Sequence, residues 1–141
     1  MTGKTSLINA FLGNKFTDKY TATASDVFQS SMIHYGERFD IKISDFAGER
    51  ESEIVSSKAL QESDVIIVCY SVDDGESYES IRSFWAPQSQ AIKRKAHLIL
   101  VGLQSDKRSE NNSMEYISEQ EGRTLMREIH AEGFYECFCQ K

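Results

Sequence analysis

The chain has 141 residues, a formal net charge of −6 and a sequence pI near 5.1. With 40% apolar and 27% charged residues, the composition is that of one compact soluble domain and excludes disordered and low-complexity proteins. The acidic balance argues against a nucleic-acid-binding surface, which is normally basic. The cysteines (Cys69, Cys137 and Cys139) lack CxxC spacing, so neither disulfides nor structural zinc is favoured and we expect a cytoplasmic protein.

The first part of the chain predicts one helix and one hairpin. Residues 5–12 carry apolar side chains at helical spacing and are followed by Gly13-Asn14, which is typical of a helix end. Residues 27–35 and 38–44 are strand-like, and apolar and polar residues alternate in the second segment. A Gly36-Glu37 turn between them predicts an antiparallel pair.

The middle of the chain predicts a crossover unit. Residues 64–70 and 97–101 are short and almost wholly apolar, as in parallel strands that are covered on both faces. Residues 77–95 are long enough for a helix between them, and Pro87 is expected to kink or end its first part. A strand, helix and strand in this order form a right-handed crossover.

The last part of the chain completes the alternation. The polar residues 107–113 predict an exposed loop, residues 118–131 a second helix, and residues 134–138 a short strand after Gly133. We therefore predict an α/β fold with a mostly parallel sheet, one antiparallel hairpin and helices on both faces.

A phosphate-binding pattern opens the chain. Gly3, Lys4, Thr5 and Ser6 stand at the head of the first predicted helix and match the second half of GxxxxGK[ST]. Backbone N–H groups at a helix N-terminus suit an anion, the lysine supplies charge to β- and γ-phosphates, and the hydroxyl reaches Mg²⁺. The first glycine of the pattern would precede Met1, and a bare GK[ST] also occurs at helix starts by chance.

Three further elements strengthen this interpretation. Asp45 and Gly48 follow the second strand of the hairpin, and ligand sites in open α/β sheets form beyond the carboxyl ends of strands. Thr23 lies in a polar segment and offers a hydroxyl. Asp106 follows an apolar strand, where its carboxylate can accept two hydrogen bonds from a planar edge such as that of guanine. Each of these residues taken alone is equally typical of an ordinary loop.

Taken together, these motifs resemble a small GTPase of the Ras superfamily, in particular its Rho/Rac branch. The order is that of the family: GKT, a switch threonine, DxAG, and an aspartate after a strand that ends in Val-Gly. Phe16 and Tyr20 match the aromatic that packs on guanine and the tyrosine of the first switch. Features of the Rho branch are Trp85-Ala86-Pro87, Glu121-Gly122-Arg123 and Tyr135-Glu136-Cys137.

The resemblance implies a Mg²⁺-dependent switch that binds GTP and GDP and hydrolyses GTP. The implied nucleotide-binding residues are Gly3, Lys4, Thr5, Ser6, Phe16, Tyr20, Thr23, Gly48, Gln104, Asp106 and Cys139. The implied metal residues are Thr5, Thr23 and Asp45, and the implied catalytic residues are Lys4 and Glu49. Effector, exchange-factor and activating proteins would bind loops 21–26 and 48–58.

The chain departs from the family pattern at its catalytic and base-recognition positions. Glu49 replaces the glutamine that orients water, and because a carboxylate only accepts hydrogen bonds and is repelled by phosphate, we expect slow hydrolysis. In the motif [NT]KxD, Leu103 lacks a polar group and Gln104 shortens the stem that covers the base. Cys139 can still offer its backbone N–H to guanine. We expect guanine nucleotide binding that is weaker than the family norm.

The resemblance also implies an incomplete domain. The first strand of the family, which would lie between the hairpin and strand 64–70, has no counterpart, and neither has the closing helix. Phe138 stands where a prenylation cysteine would be, so membrane attachment is expected only for a form with a lipidated tail.

Two alternatives remain open at the level of sequence. A non-catalytic GTPase-shaped interaction module, or a nonfunctional fragment, is favoured by Glu49, Leu103 and Phe138. An adenine-nucleotide kinase of the P-loop class would need a lid with clustered arginines, whereas the arginines here are scattered.

Overall fold

A computed structural model of the protein describes residues 3–13, 25–46, 53–92, 96–110 and 115–138. The chain divides into two compact units. One is Lys4–Ala59, and the other combines Met1–Gly3 with Leu60–Lys141. Each unit is described by itself below.

The unit Lys4–Ala59 begins with helix α1 (Lys4–Phe11). The helix ends where Leu12 and Gly13 donate their N–H groups back to the carbonyls of Ile8 and Ala10. Gly13 has φ +75°, a left-handed conformation that glycine adopts without strain at a helix C-terminus. The helix predicted for residues 5–12 is therefore present.

Strands β1 (Ser25–His34) and β2 (Glu37–Phe46) form the antiparallel pair. The two-residue turn between them is Tyr35-Gly36, with φ of 49° and 76°, rather than the Gly36-Glu37 turn expected from the sequence. Two left-handed residues give the turn type whose twist matches the flanking strands. The alternation expected in the second strand is present in its later part, where Ile41 and Ile43 are partly buried and Lys42 between them is exposed.

Helix α2 (Glu53–Glu62) crosses the boundary between the units and was not predicted. The sequence interpretation placed a partner-binding loop over residues 48–58, but the described part of that segment, from Glu53, is helical. Likewise, residues 25 and 26 of the other expected loop, 21–26, belong to β1. Residues 47–52 lie outside the described part of the chain.

The second unit contains a parallel sheet of three strands in the order β3-β4-β5. Strand β3 (Val65–Ser71) pairs with β4 (His97–Leu103), which pairs with β5 (Gly133–Glu136). Alternate residues of β3 and β4 face the core, among them Val68 and Tyr70 of β3 and Leu100 of β4. The predicted mixed α/β class, with a parallel sheet and an antiparallel pair, is confirmed.

The crossover from β3 to β4 contains a helix in three parts: α3 (Gly75–Ser80), a π-helical turn (Ile81–Trp85) and α4 (Ala86–Gln90). Asp74 begins it by accepting hydrogen bonds from the N–H groups of Glu76 and Ser77. Pro87 stands in the first turn of α4, where its missing N–H costs least, and the helix is rearranged just before it. The helix ends at Gln90, earlier than the predicted residue 95.

Two further helices complete the second unit. The short helix α5 (Lys107–Glu110) occupies the start of the segment 107–113 that was predicted to be a loop. Helix α6 (Glu119–Glu128) begins with a capping box, in which Ser118 and Glu121 satisfy each other's backbone N–H groups. Its Leu125, together with Ile129 beyond its end, is buried in the core. In the described residues, no helix is long and apolar enough to cross a membrane.

Candidate functional site

The unit Lys4–Ala59 brings two of the predicted metal residues together. Thr5 lies in the first turn of α1 and its Oγ1 donates a hydrogen bond to Oδ2 of Asp45 at 2.5 Å. Asp45 stands near the end of β2 and is only 3% exposed. A buried carboxylate is costly unless it is hydrogen-bonded, so this contact holds the hydroxyl and the carboxylate in a defined arrangement.

The start of α1 has the charge pattern of an anion site. The first turn contains no acidic residue, and Lys4 places a positive charge there with Ser6 two residues further on. A lysine at a helix N-terminus opposes the helix dipole, which an ordinary surface helix avoids. An anion at this position would satisfy the dipole, the backbone N–H groups and the lysine together.

Thr5 and Asp45 provide the oxygen donors that Mg²⁺ prefers. Mg²⁺ takes few protein ligands and keeps phosphate oxygens and waters in its coordination shell, so one hydroxyl beside one carboxylate fits it. Within the described ranges, no group of three or more His, Cys, Asp or Glu side chains could hold a metal ion by itself. The donor set therefore fits a Mg²⁺ that is shared with a phosphate ligand.

In the other unit, Gly3 lies against Leu103 and Gln104 at the end of β4. It has φ +91°, and a Cβ at this position would lie 3.5 Å from Nε2 of Gln104 and 3.9 Å from Cδ1 of Leu103. Gln104, directly after β4, has a left-handed backbone conformation, with φ 61°. Leu103 is 4% exposed and packs as an apolar residue. The structure thus places Gly3 and Gln104, two of the predicted nucleotide-binding residues, close together.

Asp106 lies in a tight turn between β4 and α5. The N–H of Lys107 donates to the carbonyl of Gln104 at 3.1 Å, and the N–H of Ser109 donates to the carbonyl of Asp106 at 3.1 Å. The N–H of Ser105 donates to the carbonyl of Cys137, beyond β5, at 3.1 Å. Asp106 therefore lies at the carboxyl end of the central strand, where ligand sites of α/β sheets occur.

Two basic residues after Asp106 form ion pairs that the sequence did not predict. Lys107 forms an ion pair with Asp73, and Arg108 forms one with Glu136 at 2.6 Å. Both basic side chains come directly after Asp106 in the sequence. Their acidic partners could be recognised only from the sheet order, because both are distant in the chain.

The remaining predicted site residues lie outside the described part of the chain. These are Phe16, Tyr20, Thr23, Gly48, Glu49 and Cys139.

A parallel three-stranded sheet, an antiparallel pair and helices are the elements of the small-GTPase fold. The family model described as "Ras family" matches residues 1–141, and the protein belongs to this family. One relative is the Ras-like GTP-binding protein RhoL of Drosophila melanogaster. It is 27% identical over 141 residues, which are 100% of this chain and 74% of that protein.

Proposed function

We propose that this protein is a Rho-like molecular switch that binds GTP and GDP with Mg²⁺ and hydrolyses GTP slowly. The observation that carries the proposal is the hydrogen bond from Thr5 to the buried Asp45 at the head of α1. This bond holds a hydroxyl oxygen beside a carboxylate, and both are oxygen donors of the kind that Mg²⁺ binds. Family membership over residues 1–141 supports the same function, and we treat the whole chain as part of one guanine-nucleotide-binding domain.

The residues at the phosphate end have distinct tasks in this proposal. Lys4 places its ammonium on the β- and γ-phosphates, while the N–H groups of Gly3 and Ser6 contact phosphate oxygens. Thr5 and Thr23 would hold Mg²⁺ directly, and Asp45 would orient Thr5. Mg²⁺, when bound, neutralises the charge that develops on the phosphates.

The base end is assigned in the same way. The carboxylate of Asp106 accepts two hydrogen bonds from guanine, Phe16 and Gln104 cover the ring, and Cys139 donates its backbone N–H. Because Leu103 is buried and apolar, it contributes no polar tie to this loop. We therefore expect GDP affinity below the family norm, and nanomolar or tighter binding would contradict this expectation.

The switch segments are assigned to signalling partners. Gly48 would sense the γ-phosphate and Tyr20 would order the first switch, so that segments 21–26 and 48–58 bind effector, exchange-factor and activating proteins. The motifs Trp85-Ala86-Pro87, Glu121-Gly122-Arg123 and Tyr135-Glu136-Cys137 support the Rho branch, and the lack of paired cysteine spacing supports a cytoplasmic switch.

Single-turnover hydrolysis of GTP tests the catalytic part of the proposal. We expect a slow rate in the unchanged chain, and Glu49→Gln should accelerate it at least about tenfold, about 1.4 kcal/mol of barrier, because an amide can orient water. Glu37→Gln, on the hairpin, is a matched control that should leave the rate unchanged. A rate that neither Glu49→Gln nor Glu49→Ala alters would contradict the role of Glu49.

The second candidate is a non-catalytic interaction module of the same fold. The observation that favours it is the burial of Leu103 where the family has a polar loop tie. A purified activating protein for Rho-type GTPases separates the candidates. A switch hydrolyses bound GTP faster with this protein, whereas an interaction module shows no turnover.

A further inference from the structure

The loop that carries Asp106 is tied to both strands that flank β4. Residues 104–108 follow β4, the middle strand of the sheet β3-β4-β5. A loop after a middle strand can be anchored on either side by side chains at the ends of the neighbouring strands. Such anchors would compensate for Leu103 and Gln104, which replace the polar and charged residues of the motif.

The first anchor joins the loop to the end of β3. Nζ of Lys107 donates a hydrogen bond to Oδ2 of Asp73, two residues beyond β3, and the two side chains are 36% and 24% exposed. Oγ of Ser71, the last residue of β3, donates to the other oxygen of Asp73. Burial raises the pKa of Asp73, but these two hydrogen bonds together with the positive charge of Lys107 hold that pKa below the ordinary value. Asp73 is therefore ionised and held in place.

The second anchor joins the loop to the end of β5. Arg108 donates from Nη1 and Nη2 to the two carboxylate oxygens of Glu136, at 2.7 and 2.6 Å. Its Nε and Nη2 also donate to the carbonyl of Ile117 at 2.8 and 2.6 Å. The bonds to Glu136 raise the pKa of Arg108, and the two side chains are 25% and 17% exposed. Because this largely buried guanidinium is bound through two of its nitrogens, it fixes the relative orientation of Arg108 and Glu136 as well as the distance between them.

We propose that Lys107 and Arg108 are positioning residues that fix Asp106 for guanine recognition. One anchor ties Lys107 to Asp73 beyond β3 and the other ties Arg108 to Glu136 of β5, so the residue just before them, Asp106, is held in one orientation. They take the place of the polar tie that Leu103 cannot provide. This inference rests on the proposed function, since it assumes that Asp106 accepts hydrogen bonds from guanine.

The proposal predicts a change in base selectivity, which general destabilisation does not produce. GDP offers Asp106 two donors, the ring N1–H and the 2-amino group, whereas inosine diphosphate lacks the 2-amino group and offers one. A misdirected carboxylate therefore costs GDP more than inosine diphosphate. A variant that merely loosens the fold weakens both nucleotides by a similar factor.

The experiment measures the dissociation constants of GDP and inosine diphosphate for the full chain, with Mg²⁺. Asp73→Asn and Glu136→Gln should each weaken GDP about tenfold and inosine diphosphate by less, so that the selectivity ratio falls about threefold or more. Lys107→Gln changes the more exposed side chain of the first anchor, and it should also lower the selectivity ratio. Reversing the first pair, Asp73→Lys with Lys107→Asp, should restore part of the ratio.

Glu128→Gln is the matched control. It breaks the pair of Arg82 with Glu128, 2.7 Å long and 40% and 44% exposed, in the same unit but on α6 rather than on the loop. We expect its selectivity ratio to equal that of the unchanged chain. An unchanged ratio in folded Asp73→Asn, Glu136→Gln and Lys107→Gln overturns the positioning role while the proposed function stands. An unchanged chain that does not prefer GDP to ADP overturns the proposed function and this inference with it.

Discussion

The two core tyrosines differ in what their hydroxyl groups meet. Tyr78 donates from its hydroxyl to the carbonyl of Glu121 at 3.0 Å. Tyr70 is fully buried, and among the described residues its hydroxyl is the buried side-chain polar atom that has no hydrogen-bond partner. The rings pack edge to face with centroids 5.3 Å apart. A polar group that loses water without a replacement bond destabilises the folded state.

Tyr70→Phe should therefore stabilise the protein. We expect its free energy of unfolding to rise by about 1 kcal/mol, because the unpaired hydroxyl is removed and the ring remains. Tyr78→Phe is the matched control and should lower the free energy of unfolding by about 1 kcal/mol, because it loses a bond. Urea unfolding measures both. Destabilisation by Tyr70→Phe would show that its hydroxyl is paired in solution.

At the scale of elements, helix α6 approaches the sheet through a glycine. A Cβ on Gly122 would lie 2.3 Å from Cζ of Phe134 on β5 and 2.5 Å from the hydroxyl oxygen of Tyr70 on β3. Tyr70 is fully buried, so its ring has no open space to enter. The close approach of α6 to the sheet therefore requires glycine at this position.

Gly122→Ala should destabilise the protein by about 1–3 kcal/mol, because overpacking exceeds the gain in helix propensity. Thermal and urea unfolding measure the loss. Gly75→Ala is the matched control, since nothing lies within 4 Å of its Cβ position at the start of α3. We expect that variant to unfold within about 0.5 kcal/mol of the unchanged chain. Equal stability of the two variants would contradict the packing of α6 described here.

The elements differ in how far the sequence predicts them. The apolar runs that became β3 and β4 were found because apolar residues cluster in them, and the hairpin was found from its alternation. Helix α2 was missed because Glu53–Glu62 mixes polar and apolar residues without a clear helical stripe. The first turn of α5 was missed because a polar composition also suits a loop.

The candidate site, like the elements, could be predicted from the sequence only in part. The resemblance implied Thr5 and Asp45 as metal residues, and the structure brings their side chains into contact. The partners of Lys107 and Arg108 were not predicted, because Asp73 and Glu136 reach the loop only through the order of the strands. Contacts between distant residues depend on topology, which periodicity alone does not determine.

At the scale of the whole molecule, two carboxylates couple stability to pH. The pKa of Glu121 is lowered because the backbone N–H and the hydroxyl of Ser118 bond its carboxylate. The pKa of Asp73 is also lowered, since the hydrogen bonds from Lys107 and Ser71 and the positive charge of Lys107 together outweigh its burial. A pKa that is lower in the folded state stabilises the protein above the unfolded pKa, and this contribution is lost as pH falls through the folded pKa.

The protein should therefore lose stability below about pH 4, where carboxyl groups ordinarily become protonated. These two groups should change its stability little between about pH 5 and about pH 7. Urea unfolding at a series of pH values measures the loss. Asp73→Asn should reduce the loss in the free energy of unfolding at acid pH. Asp40→Asn, on an exposed part of β2, is the control and should leave that loss unchanged. Stability that rises as pH falls from about 5 to 3 would contradict these assignments.

Selective binding of a guanine nucleotide is the central claim, and equilibrium titration of the full chain with GDP and with ADP, in Mg²⁺, tests it most directly. The proposed function predicts saturable GDP binding and ADP binding weaker by about a hundredfold or more. Lys4→Ala should weaken GDP at least about tenfold through the lost phosphate contact, whereas the exposed Lys42→Ala should not. Absence of GDP binding, or equal affinity for ADP, would contradict the claim.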